Sequence, residues 1–319
     1  MKKDILNILI CPSCLPYEHP LACKIHMEDH NDIISGEMTC PACSSCYVIS
    51  NGIAIMLPSG IVSGARIKYD QDNVVASYMW SHYADMAGDD EANTAYLEWA
   101  RLIDIKPGFA LDTGCSVGRF TFELGRNTDF AIGIDYSYES IKMARSIMLA
   151  KRGNFSLPEE GKIFQEYGFT LSDKYTKENV EFVVGDAQRL PFASHIFSTC
   201  SSLNLIDKVP YPINHLREID RVAKIQDAQI LISDPFSWSE EIAEEEDWLG
   251  GKETGLWSGS GIENIITIFS DKEDIISPLW QLNAKGDLWW KIKNHRNHFE
   301  MIRSPYIKII RIKKASSLL

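Results

Sequence analysis

The spacing of hydrophobic positions changes several times along the chain. From residue 110 onward, apolar runs of strand length alternate with helical periods. "ALDTG" (110–114) reads as a buried strand, and 117–127 reads as a helix. "AIGID" (131–135) is a second strand, and "SYESIKMARSIML" (137–149) a second helix. "VEFVVGD" (180–186), "IFSTCSS" (196–202) and "AQILISDP" (228–235) continue the strands, with the helix "YPINHLREIDRVAK" (211–224) between the last two. That order predicts a parallel, doubly wound α/β sheet with its ligand at the carboxyl ends of the strands. Ahead of it, "VVASYMWSHYADM" (74–86) and "EANTAYLEWARLIDI" (91–105) carry apolar residues at three- and four-residue spacing, as helices do. Near the N-terminus, "ILNILI" (5–10) reads as a strand. "YVISNGIAIML" (47–57) reads as short strands around an Asn51-Gly52 turn. The Pro-, Gly- and Ser-bearing stretch between predicts a boundary: a small module at 1–58, a linker at 59–73 and a large domain at 74–319.

Cysteine usage gives the small module its chemistry. Six of the eight cysteines fall within the first 46 residues. "CPSC" and "CPAC" put two thiolates on each of two tight turns, which together make a tetrahedral four-sulfur site. Cys11, Cys14, Cys40 and Cys43 are the candidate zinc ligands, with Cys23 and Cys46 as possible substitutes. A module this short buries little core, so a metal would supply part of its folding free energy.

Charge narrows the partners. The net charge of −12 gives no general attraction to a phosphate backbone. Local runs depart from this mean: "EEIAEEED" (240–247) is acidic, and 291–314 is basic. No apolar stretch reaches the roughly 18 residues of a membrane span. "ILNILI" is short for the apolar core of a signal peptide, and Asp4 stands before it. The expectation is a cytoplasmic protein.

The stretch "LDTGCSVGRFTFEL" (111–124) carries the main chemical signal. Its small residues fall as Asp112-x-Gly114-x-Ser116-x-Gly118. That is neither the G-x-G-x-x-G that cradles a pyrophosphate nor a Walker loop. A close backbone approach without phosphate suits S-adenosylmethionine. Asp135, ending the second strand, is placed for a ribose diol, and Asp186, after the third, for an adenine amino group.

The pieces "LDTGCSVGRF", "IGIDYS", "VEFVVGDAQRLPF" and "LISDPF", in this order, resemble the class I S-adenosylmethionine-dependent methyltransferases. The resemblance implies a Rossmann-like, seven-stranded sheet and methyl transfer. It assigns Asp112 and Gly114 to the methionine part, Asp135 to the ribose, and Asp186 with Ala187 to the adenine. Tyr78, Cys115, Gly118, Tyr136 and Asn204 complete the expected cofactor side, with Cys115 read as packing. Residues 5–58 resemble the zinc ribbons related to the activator subunit of tRNA, rRNA and protein methyltransferases. This implies a structural or protein-partner role. "FSLPEEGKI", "NLID", "DPFSWSEEIAEEEDWLGG" and "WWKIKNHRNHFEMIRS" resemble the 5-thiohistidine N-methyltransferase domain of ovothiol biosynthesis, without its iron-dependent portion.

Acceptor-side residues in such a fold follow strands four and five. Asn204, Asp207, Tyr211, Asp234 and Trp238 are the candidates, with His295 and Lys291 behind them. Asp234 before Pro235 also suits a turn, and Asp207 a helix cap. The expected acceptor is a small molecule of amino-acid, imidazole or thiol type. The alternatives are an RNA base read through the ribbon, and a non-catalytic cofactor-binding scaffold that recruits a partner.

Overall fold

The computed structural model describes residues 1–57 and 72–311. Most of the expected linker, and residues 312–314 of the basic tail, lie outside the described residues.

The N-terminal run "ILNILI" is not a strand. Lys3–Ile8 forms a 3-10 helix that buries Ile5 and Ile8, three residues apart on one face. Strands β1 (Ala22–Asp29), β2 (Asp32–Thr39), β3 (Cys46–Ser50) and β4 (Ile53–Ile55) follow as an antiparallel meander. The expected Asn51-Gly52 turn joins the last two. Both residues take positive φ, 51° and 75°, as a tight hairpin requires.

Helices α1 (Asp72–Tyr83) and α2 (Ala95–Leu102) precede the central sheet. Then come β5 (Phe109–Thr113), α3 (Arg119–Gly125), β6 (Phe130–Asp135) and α4 (Tyr138–Ala150). A separate hairpin, β7 (Arg152–Glu160) and β8 (Ile163–Thr170), is inserted next. The chain continues through β9 (Val180–Val184), β10 (Phe197–Leu203), α5 (Pro212–Val222), β11 (Ala228–Ser233) and α6 (Gly261–Asp271). It ends in a long hairpin, β12 (Gln281–His295) and β13 (His298–Arg311).

The order β9-β6-β5-β10-β11-β13-β12 is the expected seven-stranded sheet. Its first five strands are parallel, and β13 and β12 add antiparallel. The parallel strands are buried on both faces, which accounts for their nearly continuous apolar runs. Reversal of strand order beside β5 opens the crevice in which such sheets bind ligands.

The ribbon belongs to the same sheet. β4 pairs in parallel with β9, and the full order is eleven strands from β1 to β12. Charges fix this junction. Glu181 is fully buried and accepts from Arg145 Nη1 at 2.9 Å and from the Lys2 backbone N–H at 2.5 Å. Arg145 Nη2 also donates to Asp32 of β2. Breaking one partner of such a buried pair typically costs about 3–5 kcal/mol, because it strands the other charge. The network therefore sets one seating for the ribbon. No helix among the described residues is long and apolar enough to cross a membrane.

Candidate cofactor and acceptor site

The loop after β5 is shaped for close approach. Gly114 has φ 70°, and a Cβ there would fall 2.9 Å from Leu205 Cδ1. Gly118 has φ 87°, and its Cβ would meet Phe182 at 2.7 Å, so this glycine seats α3 on the sheet. Ser116 stands where a further glycine would be expected and takes the same left-handed region, φ 47°. That costs a non-glycine residue about 1–2 kcal/mol. Its backbone N–H is directed onto Asp135 Oδ2 at 2.8 Å, which offsets the strain. The Ser137 N–H donates to Oδ1 of the same carboxylate at 2.9 Å. Asp135 is thus held rigid between two turns at the end of β6.

Asp112 is buried beneath the loop. It accepts from Thr121 Oγ1 and Ser201 Oγ, both at 2.8 Å. Burial, aided by the charge of Asp135, pushes its pKa up to about 7. Asp186 follows β9 and accepts through Oδ1 from the Gln188 N–H at 2.8 Å. A buried histidine that sequence reasoning missed steadies this second loop. His215 Nδ1 lies 3.1 Å from the Ala187 carbonyl, and Nε2 lies 2.8 Å from Ser202 Oγ. Desolvation lowers its pKa to about 4. The neutral ring therefore donates from Nδ1 to Ala187 and accepts from Ser202 at Nε2.

These strand ends face a cavity of about 540 Å³. Tyr78, Asp112, Gly114, Cys115, Asp135, Tyr136, Asp186, Ala187 and Asn204, all singled out from sequence, line it. Gly118 does not; its role is packing. The other walls include residues not singled out individually from sequence: His82 of α1, Tyr96 of α2, Phe120, Lys208, Trp290 of β12, and Glu241 with Ile242.

Four of the acceptor-side candidates stand outside this lining. Asp234 is fully buried, and its carboxylate accepts the backbone N–H groups of Ile206 (2.8 Å) and Phe236 (2.8 Å). It is a staple between two loops, the turn-forming role open to it from sequence. Asp207 is also buried; it accepts the Ser237 N–H at 2.7 Å and pairs with Lys208 at 3.1 Å. Tyr211 is exposed, with its backbone N–H on Gln188. Trp238 stacks on Trp248, with ring centroids 6.1 Å apart. Lys291 donates to the Glu91 carbonyl, and His295 packs against His298 at the end of the β12–β13 hairpin.

The four candidate zinc ligands converge in the ribbon. The sulfurs of Cys11, Cys14, Cys40 and Cys43 all lie within 4.8 Å of one another. Cys11 and Cys43 are 3.6 Å apart, and Cys14 and Cys40 are 3.8 Å apart. A tetrahedral zinc with Zn–S near 2.3 Å separates its sulfurs by about 3.8 Å, so the donor set fits. Cys23 and Cys46 stand outside the cluster. The first knuckle also touches the cofactor loop: Arg189 donates to the carbonyls of Pro12 (2.9 Å) and Ser13 (3.3 Å).

Two family models match separate parts of the chain. Residues 2–52 match the family model of Trm112p-like proteins, and 163–227 match that of a methyltransferase domain. No curated protein matches the chain. Among solved structures, a chain from the complex of the Haloferax volcanii Trm112 methyltransferase activator with a methyltransferase is 14% identical. Its TM-score is 0.44, with 71% of this chain and 80% of that one covered. An S-adenosylmethionine-dependent methyltransferase from Methanosarcina mazei is 15% identical at a TM-score of 0.43, covering 66% of this chain and 94% of that one. Scores of this size carry no inference of their own. By the family models, on the sheet and loops described above, the chain carries a Trm112p-like stretch at 2–52 and a methyltransferase-domain stretch at 163–227.

Proposed function

We propose that the chain methylates a small-molecule acceptor held in the 540 Å³ cavity, and that the ribbon serves its own methyltransferase domain. The size of the cavity is the observation that carries this reading. It lies within the range of about 300–1,000 Å³ typical of small-molecule sites. Its walls combine aromatic and apolar side chains with polar ones, among them Asp112, Asp135, Asp186 and Asn204, and Glu241 and Ile242 contribute from the acidic segment after β11. A polynucleotide would have to approach past that segment, against a chain charge of −12. Two of the ribbon's acids, Glu18 and Asp32, face Arg221 and Arg145 of the same chain.

S-adenosylmethionine supplies a methyl group activated on a sulfonium. In this reading Asp135 accepts from the ribose hydroxyls, and Asp186 with Ala187 holds the adenine edge. Asp112 and Gly114 lie under the methionine part. Tyr78, Tyr96 and Trp290 exclude water and orient the acceptor, and such positioning supplies much of the rate in a displacement at carbon. Zinc held by Cys11, Cys14, Cys40 and Cys43 is structural: all four positions are thiolates, which leaves none open for substrate. The 5-thiohistidine-type acceptor is retained as the first compound to try.

The test is a metabolite extract incubated with the protein and S-adenosylmethionine, followed by mass spectrometry. The expected result is one compound class that loses intensity as a product heavier by one methylene grows. No such pair, with methylated RNA accumulating instead, would replace the small-molecule reading with the RNA one.

A further inference from the structure

Asn204 sits at the end of β10 in the left-handed region, φ 55°, with its backbone N–H on the Ser233 carbonyl at 2.6 Å. Its side-chain amide is oriented by two residues of the terminal hairpin. Trp290 Nε1 lies 3.0 Å from Ser304 Oγ, and Ser304 Oγ lies 2.6 Å from Asn204 Oδ1. An indole nitrogen can only donate. Ser304 therefore accepts from Trp290 and gives its own proton to Asn204, so the atom it meets is the amide oxygen. The flipped amide would leave the Ser304 proton unpaired in a residue with no solvent exposure, at a cost of about 1–3 kcal/mol. This chain of bonds runs one way only. It leaves the amide nitrogen of Asn204, in the wall of the cavity, without a protein partner among the described residues.

His82 adds a second directed donor. Its Nδ1 faces the Arg119 backbone N–H at 3.4 Å, and a backbone amide can only donate. Desolvation keeps the ring neutral. The imidazole proton is therefore on Nε2, on a ring that lines the same cavity and packs 4.2 Å from Tyr96.

We infer that Asn204 and His82 are the hydrogen-bond donors of an acceptor subsite walled by Tyr78, Tyr96 and Trp290. The methyl acceptor is then a flat aromatic or heteroaromatic small molecule that presents a lone-pair oxygen or nitrogen, such as a carboxylate or a ring nitrogen. The inference rests on the methyltransferase reading of the cavity and names the substrate class for it. Asn204 would touch the acceptor. Ser304 and Trp290 Nε1 are positioning groups that act through it.

The test uses the whole protein saturated with S-adenosylhomocysteine, and calorimetry with indole-3-carboxylate and imidazole-4-carboxylate. Cyclohexanecarboxylate is the non-aromatic control, and benzylamine the cationic one. The two aromatic carboxylates should bind at least about tenfold tighter than either control. Asn204→Asp keeps the shape and the bond from Ser304 but turns a lone pair toward the ligand. It should weaken both carboxylates by roughly tenfold to a hundredfold, the range for a hydrogen bond to a charged group. It should also admit benzylamine, which simple misfolding would not do. Ser304→Ala should weaken the carboxylates less. S-adenosylhomocysteine affinity should fall much less than carboxylate affinity in both variants, and Ser304→Ala, which strands the Trp290 Nε1 donor, should also lower the unfolding temperature. Equal affinity for all four probes would overturn the subsite, as would parallel loss of S-adenosylhomocysteine binding in Asn204→Asp. Failure of the unmodified protein to bind S-adenosylhomocysteine at all would instead remove the methyltransferase reading, and the subsite with it.

Discussion

Removal of zinc from the N-terminal cysteines is expected to loosen the ribbon and to weaken cofactor binding. Purified, reduced protein should carry about one zinc per chain. Cys11→Ser or Cys40→Ser should release it, since either removes one of four converging thiolates. The effect is large because structural zinc contributes roughly 10–16 kcal/mol of apparent binding free energy in small modules. The damage should spread along a defined route. Pro12 and Ser13, between the two cysteines of the first knuckle, hold Arg189, and Arg189 closes the turn that begins at Asp186. Two measurements check this: metal analysis of the protein, and S-adenosylmethionine titration of the Cys40→Ser variant. Full cofactor affinity in zinc-free protein would break the link between knuckle and loop. Absence of zinc from undamaged protein would remove the metal assignment.

Asp135→Ala is expected to reduce S-adenosylmethionine affinity by about 1.5–3 kcal/mol, roughly tenfold to more than a hundredfold. Two losses combine. A charged acceptor for the ribose hydroxyls goes, and so does the anchor of the Ser116 and Ser137 N–H groups, which fix the loop before any ligand arrives. Asp135→Asn keeps the volume and one acceptor oxygen, so its loss should be smaller. NAD should bind neither protein, because the loop lacks the pyrophosphate spacing. Equal S-adenosylmethionine affinity of Asp135→Ala and the unmodified protein, by calorimetry, would mean that the acid ending β6 is not the ribose ligand.

The sheet, and the residues at its strand ends that line the cavity, were legible because their signals are local. Each parallel strand is an apolar run ending in a loop residue, and Asp112, Asp135 and Asp186 are read directly from those ends. The four-cysteine cluster was legible for the same reason, two cysteines to a turn. The first apolar run misled, since six residues fit a short strand as well as a 3-10 turn. Its burial at Ile5 and Ile8 is decided by tertiary packing. Nothing in "IAI" (53–55) names β9 as its partner, so the continuous eleven-stranded sheet is visible only in three dimensions. The acceptor side was the least legible. Asp234 and Asp207 have the residue types and positions of catalytic acids, yet both are occupied by backbone N–H groups. His82 and Tyr96, which do wall the cavity, stand nearly two hundred residues or more before Trp290 on its other side, all with ordinary helix and strand spacing.

Methyl transfer from labelled S-adenosylmethionine into cell extract, separated into RNA, protein and small-molecule fractions, tests the central claim most directly. The account predicts label chiefly in the small-molecule fraction, strongly reduced with Asp135→Ala and little changed by moderate salt, since a small acceptor gains nothing from counterion release. Label chiefly in RNA, falling steeply as salt rises, would contradict it.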